Sequence, residues 1–451
     1  MVRKLIFILV LASLTAGCGQ SRTATPFSEP TPQAAVTTSP GSSATVETPT
    51  ATAGSQARPD DATTFFDQGS AFLAQGDWDK AIAEYDKAIQ LNPDYAEAYA
   101  NRSAAHYNEG DYDRAIADAD RAIQFKPDLA LAYANRGHAY HSKGDYDLAI
   151  ADCDQAIQLK PDYAEAYFIR GYAYHRKGDT DQAIADYDKA IQLMPGLAEA
   201  YNNRAIAYRA KGDYDRAIAD YDQAIQLVPD YAEAYYNRGI AYDYKGDHDR
   251  AIADFDRAIQ LMPDNVEVYM HRAKTYYAKG DYDRSISDLD KAIQLKPDDA
   301  GTYNNRGMAY RDKGDYDRAI ADFDKAIQLT PDYAEAYANR GIAYDYEGDH
   351  DRAIADLDQA IQLMPDDAQA YYNRGIAYGA KGDYDQAIAD YDKAIQLTPD
   401  NAVPYYWRGL ALREQGRRTE AIADLKKSLE LTSNPLLREA AEQALSELGA
   451  Q

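Results

Sequence analysis

Apolar residues recur at helical spacing through most of the chain. Residues 81–89 read Ala-Ile-x-x-Tyr-x-x-Ala-Ile, a spacing that gathers the apolar side chains on one face of an α-helix. Ten prolines, from Pro93 to Pro399, each stand 34 residues after the last. A fixed period of this length predicts a stack of helical repeats. Residues 62–435 are therefore one unit that occurs eleven times.

Each repeat carries signals for two helices. Asp94-Tyr95-Ala96-Glu97 predicts a capping box at the start of a first helix. Gly110 is suited to end that helix in the left-handed region, and Asp111 to cap a second helix. Pro127 follows the second helix and stops it. Small residues at repeat positions 8 and 20 let the two helices approach closely.

The repeated positions form a recognisable set. Position 4 is aromatic, position 8 is small, position 15 is Gly, positions 20 and 27 are almost always Ala, and position 32 is nearly always Pro. This set resembles the tetratricopeptide repeat, although position 7 is Arg in ten copies where the family usually has Leu. The resemblance implies an all-α, right-handed superhelical solenoid of 34-residue helix-turn-helix repeats, with first helices lining a concave groove. An amphipathic segment, helical over 436–448, would serve as a C-terminal capping helix within residues 436–451.

The first residues indicate export. Residues 1–17 combine the basic Arg3 and Lys4 with the short apolar stretch 5–12, as in a signal peptide. The sequence Leu-Thr-Ala-Gly-Cys ending at Cys18 resembles the lipobox of bacterial lipoproteins, with Thr where Leu is usual. This implies a lipidated Cys18, the alternative being an ordinary secretory signal. Residues 18–61 are rich in Ser, Thr, Pro and Ala, which predicts a disordered linker.

Composition narrows the function classes. The net charge of −26 repels nucleic-acid phosphates. Catalytic spacings of the Ser/His/Asp, Cys/His and phosphate-loop types are absent, so we predict no enzyme and no cofactor. Cys153 occupies a position that elsewhere holds Tyr, Phe, Leu or Ala, and is predicted to be core. His138, His141 and His175 fall on the presumed concave face, where a polar patch is favoured over a metal site.

The first helices carry the candidate binding residues. Position 6 is Asn in seven repeats, and a row of amides can donate to and accept from an extended peptide backbone. Alternatively, each amide tolerates solvent or satisfies a local backbone group. Neighbouring aromatic side chains would supply specificity, because such residues are frequent interface anchors. The predicted peptide- and protein-binding residues are Asn101, Asn135, Asn203, Asn237, Asn305, Asn339, Asn373, Phe168, Tyr236, Tyr244, Tyr346, Tyr406 and Trp407.

Three functions are compatible with this pattern. The first is a membrane-anchored, extracytoplasmic scaffold that binds proteins or peptides in its groove. The second is an assembly or pilot lipoprotein for an envelope secretion or pilus machine. The third is a non-catalytic subunit of an enzyme that acts on envelope polymers. Fold alone does not decide among them. All three imply a bacterial cell envelope, with the protein lipid-anchored and facing outside the cytoplasm, and all leave the oligomeric state open.

Two charged positions vary together. Position 7 is Arg wherever position 23 is Asp, whereas the first repeat has Gln68 and Glu84. This joint change favours an ion pair inside each repeat, such as Arg136 with Asp152. Pairing of Asp118 with Arg136 across repeats is the alternative.

A longer period overlies the repeat. Residues 201–269 closely match residues 303–371, three repeats later. The duplication carries either a binding patch or no functional meaning. The shared groove residues are Asn202, Asn203, Arg209, Asp243 and Tyr244 in one copy and Asn304, Asn305, Arg311, Asp345 and Tyr346 in the other.

Overall fold

The computed structural model describes residues 61–449, and all regular structure in that range is helical. The helices fall into two compact units, one ending at Pro263 and the next beginning at Asp264. The predicted signal peptide, Cys18 and nearly all of the linker lie outside the described residues. An all-α fold of tandem helix pairs is confirmed, while the right-handed superhelical path stays a prediction.

The helices have nearly constant length in both units. The first unit contains α1 (Ala62–Gln75), α2 (Trp78–Leu91), α3 (Ala96–Asn108), α4 (Tyr112–Phe125), α5 (Ala130–Lys143), α6 (Tyr146–Leu159), α7 (Ala164–Lys177), α8 (Thr180–Leu193), α9 (Ala198–Ala210), α10 (Tyr214–Leu227), α11 (Ala232–Tyr244) and α12 (His248–Leu261). The second unit contains α13 (Val266–Ala278), α14 (Tyr282–Leu295), α15 (Ala300–Lys313), α16 (Tyr316–Leu329), α17 (Ala334–Glu347), α18 (His350–Leu363), α19 (Ala368–Lys381), α20 (Tyr384–Leu397), α21 (Ala402–Glu414), α22 (Arg418–Leu431) and α23 (Pro435–Glu447).

The turn inside each repeat follows the sequence signals. Gly110 has φ 84°, a left-handed conformation that glycine adopts without a steric cost. The Asp111 carboxylate accepts a hydrogen bond from the Arg114 backbone N–H at 3.0 Å, which caps α4. Both predictions are confirmed, and together they reverse the chain within two residues.

The predicted capping box at Asp94 is wrong. Tyr95 is the N-cap of α3, and no side chain caps this helix, because Asp94 lies one residue too early. Where position 34 is Asp or Asn, the side chain does cap the next helix. The Asp299 carboxylate, for example, accepts from the Thr302 backbone N–H at 2.8 Å.

Small residues bring the paired helices together. A Cβ atom placed on Gly375 in α19 would lie 2.7 Å from Tyr391 Cε1 in α20, so glycine makes room for the ring. Ala387, at position 20, is fully buried at the same interface. Close packing of this kind makes up the core of each repeat, as the small residues predict.

Within each unit, an arginine at position 7 bonds inside its own repeat and to the preceding one. Arg136 donates from Nε and Nη2 to the two carboxylate oxygens of Asp152, at 2.8 and 2.6 Å. The same two-bond pair recurs in all ten repeats with Arg at position 7. The predicted pair within the repeat is confirmed. Across repeats, Arg136 Nη1 bonds instead to Asp120, at 2.6 Å, because Asp118 is already engaged by Arg102.

The excess of tyrosine has a structural cause at position 4. The Tyr133 hydroxyl donates to the Pro127 carbonyl oxygen at 3.2 Å, which Phe could not do. The guanidinium of Arg136 lies 5.7 Å from the centroid of the same ring, within cation–π range. Tyrosine at position 4 thus forms a hydrogen bond with the turn that contains the proline and a cation–π contact with the arginine.

Helix α23 covers the last repeat. It begins and ends one residue before the predicted 436–448, with Asn434 as its N-cap. Leu437, Ala441 and Leu445 are buried against Tyr406 and neighbouring apolar side chains. The predicted capping helix is therefore present. No helix between residues 61 and 449 combines the length and apolar character that a bilayer crossing requires.

Candidate binding surface of the first helices

The predicted binding residues lie on the first helices of the repeats. Within the first unit, consecutive first helices such as α3, α5 and α7 contact one another directly. We call the side chains at repeat positions 5, 6, 9, 12 and 13 of these helices the first-helix surface. Their hydrogen bonds and burial decide which groups are available to a partner.

The asparagine row is largely buried. Six of the seven side chains are at most 8% exposed, and Asn339 is half-buried. Asn135 Nδ2 donates to the Ala100 carbonyl oxygen at 2.9 Å, and Asn339 Nδ2 donates to Asn304 Oδ1 at 3.1 Å. Both amides bond to the preceding repeat, and Asn135 satisfies a backbone group there, as in the alternative interpretation of the row. Peptide binding by the row stays a prediction.

Two members of the row keep hydrogen-bonding capacity. Asn101 Oδ1 and Asn203 Nδ2 are buried, and neither has a hydrogen-bond partner among residues 61–449. Asn203 Oδ1 accepts from Asn202 Nδ2 at 3.3 Å. The two unpaired atoms are the part of the row that could serve a ligand.

Three of the predicted aromatic anchors are core residues in this structure. Phe168, Tyr236 and Tyr406 are each at most 7% exposed. The Phe168 ring lies 6.0 Å from the Tyr187 ring of the following second helix. Their bulk supports the helix pair, and a role in partner binding stays a prediction.

The other aromatic anchors are more accessible. Tyr244 is 54% exposed and stacks on Tyr214, with ring centroids 5.6 Å apart and planes 5° apart. Its counterpart Tyr346 is half-buried and stacks on Tyr316 in the same manner. Half-buried Trp407 meets Tyr406 edge to face. The two stacked tyrosine pairs show that the duplication copied a local surface as well as a framework.

Histidines occupy the interior of the first-helix surface in the third repeat. His138 Nε2 is 2.8 Å from the Tyr107 hydroxyl, and the His141 ring lies 3.9 Å from that of Tyr172. Burial lowers the pKa of His138 to about 4. Burial, with His138 and Arg176 nearby, lowers the pKa of His141 to about 3. Both imidazoles are therefore neutral near pH 7.

The histidines do not assemble a metal site. Across the described part of the chain, no group of three or more His, Cys, Asp and Glu side chains could hold a metal ion. Cys153 is buried, and burial raises the pKa of its thiol well above the ordinary value. A buried thiol with a raised pKa is unreactive.

The fourth and fifth repeats hold polar groups that the sequence analysis did not single out together. His175 Nδ1 and Arg209 Nε are buried, and within residues 61–449 neither atom has a hydrogen-bond partner. Burial lowers the pKa of His175, and the positive charges of Arg176 and Arg209 lower it further. The helices that carry these residues, α7 and α9, are in contact. The sequence feature that could have indicated these polar groups is the presence of adjacent basic residues in an otherwise acidic chain.

The matching residues in the second unit are paired. Arg311 Nε donates to Asp312 Oδ1 at 2.8 Å, and Arg311 Nη1 donates to Asn339 Oδ1 at 2.8 Å. The Tyr277 hydroxyl donates to Asp312 Oδ2. A buried arginine is thus neutralised by a carboxylate that a second donor holds in place.

The arginine at position 7 also has a second carboxylate partner, which the sequence pattern did not lead us to predict. Asp120 and its equivalents at position 25 bond to Arg of the next repeat in nine repeats. The last repeat, which no further repeat follows, has Lys426 there. Aspartate stands at position 25 of every repeat except the last. This pattern could have predicted that the residue contacts the following repeat.

Comparison with protein families identifies the repeat. A family model described as "TPR repeat" matches nine stretches between residues 69 and 416. Models described as "Tetratricopeptide repeat" match residues 232–265 and 402–435. The nine stretches are 69–110, 105–144, 137–178, 171–211, 206–243, 273–310, 307–345, 346–382 and 377–416.

Several solved structures are similar to this chain. Yeast Tom70 is 18% identical, with 86% of this chain and 95% of that chain covered and a TM-score of 0.45. A tetratricopeptide repeat protein of Parabacteroides merdae is 23% identical, with coverages of 55% and 98% and a TM-score of 0.42. YrrB, described as a TPR protein with an unusual peptide-binding site, is 24% identical, with coverages of 41% and 95% and a TM-score of 0.34. No curated protein matches this chain.

Proposed function

The chain belongs to the tetratricopeptide repeat family, and we propose that it is a membrane-anchored, extracytoplasmic scaffold that binds protein or peptide segments on its first-helix surface. Tandem helical repeats create extended surfaces suited to long, narrow partners. The proposal needs no catalytic group, and its chemistry is the pairing of polar groups with a partner chain.

One observation carries the proposal. In the first unit, buried polar atoms without partners among the described residues lie on four consecutive first helices, α3, α5, α7 and α9. Folded proteins pair most buried polar groups, and an unpaired one costs roughly 1–3 kcal/mol. A bound chain that supplied complementary donors and acceptors would recover that cost. The atoms are Asn101 Oδ1, His141 Nδ1 and Nε2, His175 Nδ1, Asn203 Nδ2 and Arg209 Nε.

The anchored, extracytoplasmic part of the proposal rests on the sequence. The export signal and the lipobox resemblance at Cys18 imply attachment of acyl chains, and more than one chain gives a stable anchor. The linker between Cys18 and residue 61 would hold the repeats away from the membrane by roughly 35–40 Å.

Photo-cross-linking in intact cells tests the binding surface. A photoreactive amino acid replaces Ala210, which is exposed at the end of first helix α9. A matched variant carries it at Leu148, which is 50% exposed on second helix α6. We expect a discrete protein adduct at position 210 and none at position 148. Adducts at neither position, or equally at both, would refute binding on the first-helix surface.

A further inference from the structure

We propose that two contacts between neighbouring repeats are weak at neutral pH and become stronger as the pH falls. In the first unit, Glu109 at the end of α3 faces Asp79 in α2. In the second unit, Glu347 at the end of α17 faces Asp317 in α16. This pH response is separate from partner binding, because both contacts lie between helices of the chain itself.

In other repeats, a hydrogen-bond donor at position 14 bonds to aspartate at position 18 of the preceding repeat. Lys143 Nζ donates to Asp113 at 2.6 Å, and Gln415 Nε2 donates to Asp385 at 2.7 Å. Position 14 supplies the donor and position 18 the acceptor in each case. The other bonds of this kind join Lys177 to Asp147, Lys211 to Asp181, Lys245 to Asp215, Lys313 to Asp283 and Lys381 to Asp351.

Glutamate replaces this donor in the second and ninth repeats. Glu109 and Glu347 stand at position 14, and Asp79 and Asp317 stand at position 18 of the preceding repeats. The helices on the two sides are packed together, α2 with α3 and α16 with α17. Two carboxyl groups can share a hydrogen bond only when one of them holds a proton. When both are charged, they repel.

The pKa of each glutamate is raised. Burial is the largest cause of the raised pKa of Glu109, and a hydrogen bond with Asp79 adds to it. Burial is also the largest cause for Glu347, followed by the negative charge of Asp317 and a hydrogen bond with its carboxyl group. Each glutamate therefore binds a proton more tightly in the folded chain than in the unfolded chain.

The charged groups around Glu347 are engaged with one another. Arg352 lowers the pKa of Glu347 and Asp349 raises it, so their effects oppose each other. The cations of α16, α18 and α19 at this turn each have a carboxylate partner, so none of them serves Glu347 as Lys381 serves Asp351. The pairs are Arg318 with Asp315, Arg352 with Asp349, His350 with Asp345 and Lys381 with Asp351.

Glu109 has a histidine beside it. His106 Nδ1 lies 3.4 Å from Glu109 Oε2, and His106 Nε2 lies 3.8 Å from an Asp118 carboxylate oxygen. A protonated His106 would attract Glu109, so the contact in the first unit combines two effects of acid. The contact in the second unit is the cleaner test. The cations at neighbouring helix ends in the first unit are paired, Lys80 with Asp77, Arg114 with Asp111 and Lys143 with Asp113.

The raised pKa determines the direction of the response. Stability from the shared proton is fully present below the ordinary glutamate pKa of 4.5 and is lost as the pH rises through the folded-state value. At neutral pH both carboxylates are charged, and their repulsion favours local opening of the contact. His138, whose pKa is lowered by burial, responds in the opposite direction.

Hydrogen exchange of the full-length protein at about pH 7 and about pH 5 tests the second-unit contact, with a chelator present and intrinsic rates corrected. We expect peptides from α17 to become about threefold more protected at pH 5, the size of an exposed charge interaction. Peptides from α19, where Lys381 bonds to Asp351, should show no such gain. No gain in α17 would overturn the proposal.

Two variants of Glu347 separate its titration from that of the histidines. Glu347→Lys restores the ion pair of the other repeats, and Glu347→Gln supplies the amide donor that Gln415 provides to Asp385. Both should protect α17 at pH 7 and remove the gain in acid, while His350 remains in place. A gain in acid of equal size in the wild type and both variants would assign the response to another group and overturn the proposal.

Discussion

Arg204 and Asp220 form a two-bond ion pair inside one repeat, with Nε–Oδ2 and Nη2–Oδ1 distances of 2.7 Å each. Burial raises the pKa of Asp220, and the hydrogen bonds from Arg204 oppose that rise. Arg204→Ala leaves a buried carboxylate without its cation. We expect it to lower the free energy of unfolding of this region by about 3 kcal/mol, measured by hydrogen exchange of peptides from 198–227.

The matched control removes the outer partner of the same arginine. The Asp188 side chain is 52% exposed, so Asp188→Ala should cost less than ~1 kcal/mol. Equal losses in Arg204→Ala and Asp188→Ala would mean that burial of Asp220 does not matter. In that case the arginines at position 7 would contribute to the free energy of unfolding only as surface ion pairs do.

Two glycines of α19 should respond in opposite ways to alanine. Gly375→Ala places a Cβ 2.7 Å from Tyr391 Cε1, so we expect a net loss of roughly 1 kcal/mol in the free energy of unfolding. At Gly379 the nearest atom would be 3.8 Å away, and the alanine should stabilise the helix by up to about 1 kcal/mol.

Urea unfolding of both glycine variants, followed by circular dichroism, checks this pair of expectations. If Gly375→Ala were stabilising, the helix pair would have enough room at position 8 to accept a methyl group. In the fifth repeat, the equivalent residue is Ala205, which is buried in the same cluster as Tyr221.

Acid should weaken the third repeat before the rest of the first unit. The folded-state pKa of His138 is about 4 against an ordinary 6.5. Below pH 6.5 the unfolded chain binds the proton more readily, so the contribution is present above that pH and is lost as the pH falls toward 4. The full contribution of His138 is about 3 kcal/mol.

Hydrogen exchange of peptides from 130–177 at about pH 7 and about pH 5, corrected for intrinsic rates, measures this effect. The control is His138→Ile with His141→Leu, because Ile stands at position 9 in four other repeats and Leu at position 12 in the first repeat. We expect the control to flatten the pH dependence. An undiminished slope would assign the effect to other groups.

Membrane attachment should depend on one thiol. Cys18→Ser removes the atom that the predicted acyl chains would modify, so the protein should move from the membrane fraction to the soluble fraction. Labelling by an alkyne fatty acid should also cease. A variant that remains in the membrane fraction would indicate another means of attachment.

Much of the fold could be predicted because a comparison of the repeats shows which positions are constant and which vary together. Glycine at position 15, small residues at position 8 and the joint variation of positions 7 and 23 each had one physical explanation, and Gly110, Gly375 and Arg136 confirm them. The capping box was predicted one residue too early, because the turn after Asn92 brings Tyr95 to the N-cap position, where its side chain caps no backbone N–H.

The candidate site was harder to predict for a different reason. A row of asparagines such as Asn135 and Asn339 has the same sequence pattern whether its amides bind a partner or the preceding repeat. Only distances such as those to Ala100 and Asn304 show which amides already have a partner within the chain.

The most direct test of the central claim is the affinity of the full-length protein for the segment that cross-links at position 210. Tyr244 and Leu148 are exposed to a similar degree, at 54% and 50%, and lie on a first and a second helix. We predict that Tyr244→Ala raises the dissociation constant about tenfold, while Leu148→Ala leaves it unchanged. A loss of affinity in Leu148→Ala with none in Tyr244→Ala would contradict binding on the first-helix surface.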